Sequence, residues 1–168
     1  MNIFDDIGSI KESGFQGFHQ IHVLRKTELE SVPERIGVYM VIRESDEPPT
    51  FLEKSLAGHF KGRDPTVPIE KLREQWVDRT VTLYIGKAGG PRQNTTIRKR
   101  LDTYFKFGEG QPVSHWGGRL IWQLEGSESL LICWLETPKE NPRHVEKDLL
   151  AQFKKTHDER LPFANLQK

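Results

Sequence analysis

Residues 36–43 constrain the fold of this 168-residue chain more than any other stretch. They read Ile-Gly-Val-Tyr-Met-Val-Ile-Arg, rich in β-branched and aromatic residues, and the apolar positions scarcely alternate with polar ones. This pattern is typical of a β-strand that is buried on both faces. Further strands are predicted at residues 80–87, 119–123 and 130–136, and residues 20–24 have weaker strand character.

Three helices are predicted from apolar spacing and from the residues that begin helices. They lie near residues 68–78, from about 95 to 107 with Asn94 or Thr95 as N-cap, and from Pro142 to about residue 157. With the strands, they predict an α/β domain of the α+β kind, in which helices flank a small, mostly antiparallel central sheet.

The chain length suits one domain over residues 1–168. Residues 1–35 are polar and are interpreted as an N-terminal extension, and residues 44–79 as an insertion between the first two core strands. No apolar run approaches membrane-spanning length, and the N-terminus has no secretion signal. The single cysteine, Cys133, excludes an internal disulfide and a Cys-rich zinc site. We therefore expect no membrane association and a cytoplasmic location.

Charge is distributed unevenly although the net charge is only +1. Residues 1–50 carry a net charge of −4, whereas residues 87–124 carry +5. A basic segment in a near-neutral protein predicts a surface that attracts phosphate groups. The alternative is that these are ordinary solvated side chains.

Arg100 lies on the inward face of its predicted helix. Ile97, Leu101 and Tyr104 form the apolar stripe, and Arg100 is three residues after the first of these and four before the last. An inward guanidinium must meet an anion or several hydrogen-bond acceptors. Arg100 is therefore expected either to bind a ligand anion or to form a structural ion pair.

Glu146 raises the same question with the opposite charge. It shares helical spacing with the apolar Leu149, Leu150 and Phe153. A carboxylate at the head of an apolar stripe either interacts with the dipole of its own helix or is directed at a cation.

Five features occur in one order along the chain. Two tripeptides, Gly37-Val38-Tyr39 and Tyr84-Ile85-Gly86, are followed by Arg98-Lys99-Arg100-Leu101 with Tyr104, by Glu146, and by Pro162-Phe163-Ala164-Asn165. This order resembles the GIY-YIG nuclease family over residues 36–43 and 80–166. Residues 84–88 and 98–105 most resemble the nuclease domain of the bacterial excision-repair incision subunit. The 44 residues between Tyr39 and Tyr84 exceed the family's usual separation, as in restriction-type members with insertions, and residues 88–93 form a second extra loop.

The resemblance implies a metal-dependent DNA endonuclease. It assigns Arg100 to the phosphate, Glu146 to Mg²⁺ or Mn²⁺, and Tyr39 to deprotonating or orienting the attacking water. It also places in the catalytic site Tyr84, which would hydrogen-bond there, Tyr104, where relatives have a tyrosine or histidine, and Asn165. Supporting positions are Gly37, Gly86 and Lys87. Because a tyrosine normally titrates near pH 10, the role of base requires a nearby cation, and Lys87 is the expected candidate.

DNA is the expected partner, with a homodimer as one way to cut both strands. Contacts to DNA are predicted for Arg92, Arg98, Lys99, His115 and Arg119. Within residues 114–119, Trp116 is expected either to stack on an unpaired base or to pack in a turn.

A non-catalytic nucleic-acid-binding module that retains the nuclease fold is the alternative. A nucleotide-binding loop at residues 86–90 is excluded, because no Gly-Lys-Ser/Thr follows a glycine-rich run.

Overall fold

The computed structural model describes residues 2–113 and 115–166. Four antiparallel strands form one sheet in the order β1-β4-β2-β3. The strands are β1 (Gln16–Gln20), β2 (Gly37–Ile42), β3 (Thr82–Ala88) and β4 (Leu131–Glu136). The helices are α1 (Ile7–Glu12), α2 (Ile21–Lys26), α3 (Ile69–Gln75), α4 (Ile97–Gly108) and α5 (Pro142–Thr156). The fold is thus α+β, with helices around a small antiparallel sheet, as predicted.

Strand β2 is buried along its whole length, which confirms the prediction from residues 36–43. One face of it, with Val38 and Met40, packs against the cluster that contains Leu149 and Phe153 of α5. The other face, with Tyr39, belongs to the cluster that contains the apolar residues of α4. The sheet therefore separates α4 from α5, and β2 contributes to both halves of the core.

Both long helices begin with a side-chain cap. The Thr96 side chain accepts a hydrogen bond from the backbone of Lys99 at 3.2 Å, so the expected N-cap at Asn94 or Thr95 was wrong by one or two residues. Asn141 caps α5 and Pro142 occupies its first turn. These caps fix where Arg100 and Glu146 stand along their helices.

Two predicted strands are helical instead. Residues 119–123 belong to a 3₁₀ helix, Trp116–Gln123, in which Leu120, Ile121 and Trp122 are all buried. Periodicity cannot distinguish strand from helix in so short an apolar run. Residues 21–24 lie in α2, where Ile21 and Leu24 are buried at helical spacing.

Residues 2–35 are part of the fold rather than an extension of it. They form α1, which Asp6 caps, then the edge strand β1, which pairs with β4, and then α2. Gly17 and Phe18 both have positive φ, and the register of β1 shifts between Gly17 and His19. Because of this irregularity, the strand lacks the regular alternation of apolar and polar residues from which strands are predicted.

Residues 44–79 connect β2 to β3, and both backbone hydrogen bonds and the side chain of one buried glutamine bind them to the 3₁₀ helix. The Gln123 amide nitrogen donates to the carbonyl groups of Leu52 (2.9 Å) and Val67 (2.7 Å), and its side-chain oxygen accepts from Val67 N at 2.9 Å. Helix α3, within this segment, is shorter than the predicted 68–78. The segment therefore lies along the 3₁₀ helix instead of projecting freely.

The longest helix of the described residues, α5, has 15 residues. No helix in residues 2–113 or 115–166 combines the length and apolar character needed to cross a membrane.

Candidate active site

The two strand tyrosines meet on one face of the β2–β3 pair. Tyr39 is directly opposite Gly86, and Tyr84 is opposite Val41, so the tyrosines are diagonal neighbours with ring centroids 6.1 Å apart. A Cβ atom on Gly86 would lie 2.4 Å from Cζ of Tyr39. The glycine of Tyr-Ile-Gly is therefore required because the Tyr39 ring lies across it.

The glycine of the first tripeptide has a similar origin. A Cβ atom on Gly37 would lie 2.2 Å from the carbonyl oxygen of Leu135 and 2.8 Å from the Ile97 side chain. Any larger residue would push β2 away from β4 and α4. Gly37 thus supports the site through packing and has no chemical group to offer it.

Helix α4 supplies a third tyrosine and the arginine. The Tyr104 ring lies 5.9 Å from that of Tyr84, and its hydroxyl group donates to Gly118 O at 2.7 Å. Burial raises the pKa of Tyr84 to about 12 and the pKa of Tyr104 well above its ordinary value, and the charge of Arg100 opposes both shifts. The partly buried Arg100 therefore lies within electrostatic reach of both rings.

Tyr39 is held in its neutral form. Burial, followed by the neighbouring Tyr84, raises the pKa of Tyr39 well above its ordinary value, and Arg100 lowers it again in part. The expected cation was Lys87, but Lys87 pairs with Val38 and so faces the α5 side of the sheet. Arg100, rather than Lys87, is the cation that acts on Tyr39, so the expected role of Lys87 was wrong.

Glu146, on α5, acts electrostatically on the same two strand tyrosines. Burial is the largest influence on the pKa values of Tyr39 and Tyr84 and raises both. The negative charge of Glu146 raises both pKa values further. Glu146 is partly buried, and it lies beyond the first turn of α5, which has no acidic residue. The interpretation of Glu146 as a partner of its own helix terminus is therefore not supported.

His115 is a member of the site that sequence analysis assigned elsewhere. It is 1% exposed, so the predicted DNA contact is wrong for this arrangement of the chain. Its Nε2 atom lies 3.1 Å from the Tyr39 hydroxyl group, and its ring stacks on Tyr104 with centroids 4.1 Å apart. Burial, and then Arg100, lower the pKa of His115 well below its usual range, so the imidazole is neutral at pH 7.

Asn165 connects the C-terminal segment to the edge strand β3. Its side-chain oxygen accepts from Ile85 N and its amide nitrogen donates to Ile85 O, both at 2.9 Å. Ala164 N adds a third bond, to Leu83 O at 2.8 Å. Asn165 therefore fixes the backbone between Tyr84 and Gly86 and acts on the site through β3.

The other predicted DNA contacts differ in exposure. Arg92 and Lys99 are exposed. Arg98 instead forms an ion pair with Glu34 at 3.1 Å and donates to backbone carbonyl groups of Glu30 and Val32, so it holds the loop before β2. Arg119 is partly buried beside Trp116. Ser114, the first residue of the predicted 114–119 cluster, lies outside the described residues.

The donor set around the tyrosines contains one carboxylate. In residues 2–113 and 115–166, no group of three or more His, Cys, Asp or Glu side chains is placed to hold a metal ion. A site that surrounds a metal with protein ligands is therefore not formed by the described residues. One carboxylate beside phenol groups remains, and the rest of a metal's coordination shell would be water and substrate oxygen.

Comparisons of this chain with protein-family models, with curated proteins and with solved structures found no match.

Proposed function

We propose that this protein is a metal-dependent DNA endonuclease of the GIY-YIG type. The observation that carries the proposal is convergence: Tyr39, Tyr84, Arg100 and Glu146 come from four different elements, and their charges and rings act on one another. The order of these residues along the sequence, which resembles the GIY-YIG family, supports the same conclusion.

Glu146 is the residue that would hold the metal ion. A single carboxylate suits Mg²⁺ or Mn²⁺, since Mg²⁺ keeps most of its water shell and commonly uses one or two carboxylates together with phosphate oxygens. When bound, such an ion would neutralise charge on the phosphoryl and leaving oxygens. The partial exposure of Glu146 leaves room for those waters.

Arg100 would bind the phosphate that is cut. Its guanidinium group can donate two parallel hydrogen bonds to phosphate oxygens. The surrounding rings are buried, which lowers the local dielectric constant and strengthens such a contact.

Tyr39 would act as a neutral group and not as a standing phenolate. Its raised pKa leaves the hydroxyl group protonated at pH 7, so it can accept a hydrogen bond from water and orient it. In the tautomer with a bare Nε2, His115 accepts the Tyr39 hydroxyl proton at 3.1 Å. As Tyr39 takes a proton from the attacking water, it would pass its own hydroxyl proton to His115 Nε2, so that the phenol stays neutral. An arriving phosphate would offset the Arg100 charge that disfavours imidazolium.

Cleavage of supercoiled plasmid and of single-stranded DNA, with Mg²⁺, Mn²⁺ or EDTA, tests the proposal. Nicking or linearisation that EDTA abolishes is expected, and discrete bands would indicate sequence specificity. A folded protein that binds DNA but cuts neither substrate with either metal would contradict the proposal and support a binding module. One such site cuts one strand at a time, so we further propose that a homodimer forms on duplex DNA, which sedimentation with a duplex can detect.

A further inference from the structure

A cationic surface beside the proposed site brings together residues that are distant in sequence. Arg63, from the 44–79 segment, and Arg119, from the 3₁₀ helix, both lie over the ring of Trp116. Their guanidinium carbons are 4.8 and 4.6 Å from the ring centroid, and Arg119 also donates to Trp116 O at 3.3 Å. We call these three residues the Arg63–Trp116–Arg119 cluster.

The cluster concentrates positive charge without a carboxylate to balance it. Burial, and then the charge of Arg63, lower the pKa of Arg119, as expected for two like charges held at one ring. Neither arginine forms an ion pair with a carboxylate in the part of the chain that the structure describes. The carboxylate of Asp64, next to Arg63, instead accepts a hydrogen bond from Thr66 N at 2.9 Å, and its Oδ1 atom lies 3.7 Å from Nε2 of His59. An anion bound here would relieve the repulsion.

Arg63 is held in place by a tight turn. Phe60 and Arg63 exchange two backbone hydrogen bonds, of 3.2 and 3.0 Å, and Lys61 and Gly62 between them both have positive φ, as in a two-residue hairpin. Gly58 N donates to Phe107 O at 2.9 Å and ties the base of this turn to α4. Because the position is already ordered, binding through Arg63 loses less conformational entropy.

The cluster adjoins the proposed active site directly. Trp116 follows His115, which contacts Tyr39, and precedes Gly117. A Cβ atom on the exposed Gly117 would lie 3.4 Å from the Tyr84 hydroxyl group, so this backbone passes the mouth of the tyrosine cluster. A polyanion with one phosphate at Arg100 would therefore present a neighbouring phosphate to the Arg63–Trp116–Arg119 cluster.

We propose that the Arg63–Trp116–Arg119 cluster binds a backbone phosphate of duplex DNA next to the phosphate that is cut. The inference rests on the proposed nuclease function and gives the 44–79 segment a part in it, which is to fix the position of the duplex. Guanidinium groups suit this contact because their planar donors match phosphate oxygens, and phosphate contacts set orientation without reading sequence. Trp116 is a positioning residue, and with two arginines over its ring it matches the packed alternative expected from the sequence rather than the alternative of stacking on a base.

The test is binding of a fluorescent duplex of about 30 base pairs, followed by anisotropy in EDTA so that no cleavage occurs. The variants are R63A/R119A and, because Arg63 is exposed, R63A alone. The double variant is expected to bind roughly 10–100-fold more weakly. The slope of log Kd against log salt, between about 50 and 200 mM, should fall by about one for the one phosphate contact that is lost.

The matched control is K26A/K155A, which removes two exposed positive charges away from the cluster. It should bind within about twofold of the wild type if the cluster contributes specific contacts. Wild-type affinity and salt slope in R63A/R119A, or an equal loss in K26A/K155A, would overturn the proposal. Thermal melting of every variant identifies loss of fold. If R63A/R119A is unfolded, the affinity of R63A alone decides whether the cluster contributes to binding.

Plasmid cleavage with Mg²⁺, measured on the same preparations, separates this inference from the nuclease proposal. Weakened binding in R63A/R119A without any wild-type cleavage would keep the phosphate contact and contradict the nuclease. Wild-type cleavage together with unchanged binding by R63A/R119A would contradict the phosphate contact and keep the nuclease.

Discussion

At the scale of single residues, the proposed site is four buried rings around one arginine. Tyr39, Tyr84, Tyr104 and His115 are all less than a tenth exposed, and burial is the largest influence on the pKa of each. Every ring is therefore neutral at pH 7. The charge of Arg100 acts on all four rings, and the charge of Glu146 acts on Tyr39 and Tyr84. Chemistry at such a site depends on placing charge and passing protons, since no standing phenolate or imidazolium is present.

Arg100→Ala is expected to reduce cleavage on the order of 10²–10³-fold, because it removes the guanidinium that stabilises charge on the phosphoryl oxygens. Plasmid nicking rates under single-turnover conditions measure the effect. Lys106→Ala, which removes another exposed charge from the same helix, is the control and should stay close to wild type. Near-native cleavage by folded Arg100→Ala would mean that the arginine serves packing alone.

His115→Gln tests the pKa shift through stability. The pKa of His115 is lowered in the folded state. Below pH 6.5, this imidazole therefore binds a proton in the unfolded chain but stays neutral in the folded protein. This group's contribution is complete above pH 6.5 and is lost as the pH falls, by up to about 1.4 kcal/mol per pH unit. Urea unfolding from pH 8 to 5 should show a shallower decline in His115→Gln than in the wild type.

His144→Gln provides the control for that comparison, since His144 is exposed on α5. It should keep the wild-type decline. If His115→Gln and His144→Gln both follow the wild-type curve, the neutral buried imidazole is not present in solution.

At the scale of elements, the sequence predicted the strands and helices that have long apolar faces. Strands β2, β3 and β4 and helices α4 and α5 were found within a few residues, because each has a continuous apolar face to bury. The first 35 residues and the 3₁₀ helix were missed. Their elements have six or fewer residues, or lie in an apolar run too short to show a period, and tertiary contacts determine their form.

Gln123 shows how one side chain organises two elements. Gln123→Leu keeps the size of the side chain but leaves Leu52 O, Val67 N and Val67 O without their partner. We expect a loss of about 3 kcal/mol in the free energy of unfolding, since buried polar groups without partners cost about 1–3 kcal/mol each and some will rebind water. Urea unfolding measures the loss, and faster exchange of the Val67 amide would locate it in the 44–79 segment.

Gln152→Leu, at an exposed position on α5, is the matched control and should change stability by about 0.5 kcal/mol or less. A Gln123→Leu protein as stable as wild type, with an unchanged Val67 amide, would show that the 44–79 segment is held without this contact.

At the scale of the whole molecule, the site exists because the sheet is covered on both faces. Tyr39 and Tyr84 face α4, while Glu146 comes from α5, which packs on the other side. The sequence could identify Arg100 and Glu146 as candidate site residues, since each is a charged residue on the apolar face of its own helix. It could not show that His115 turns inward to Tyr39, because that contact joins residues 76 positions apart through an irregular segment.

The most direct test of the central claim is cleavage of supercoiled plasmid with Mg²⁺ by Glu146→Gln and Asp148→Asn, side by side with wild type. Both variants remove one carboxylate from α5, but only Glu146 acts on the tyrosine cluster, while Asp148 is exposed. Loss of metal-dependent nicking in Glu146→Gln, with full activity in Asp148→Asn, is the predicted result. Equal nicking by wild type and a folded Glu146→Gln would contradict the claim that these residues form one metal-dependent site.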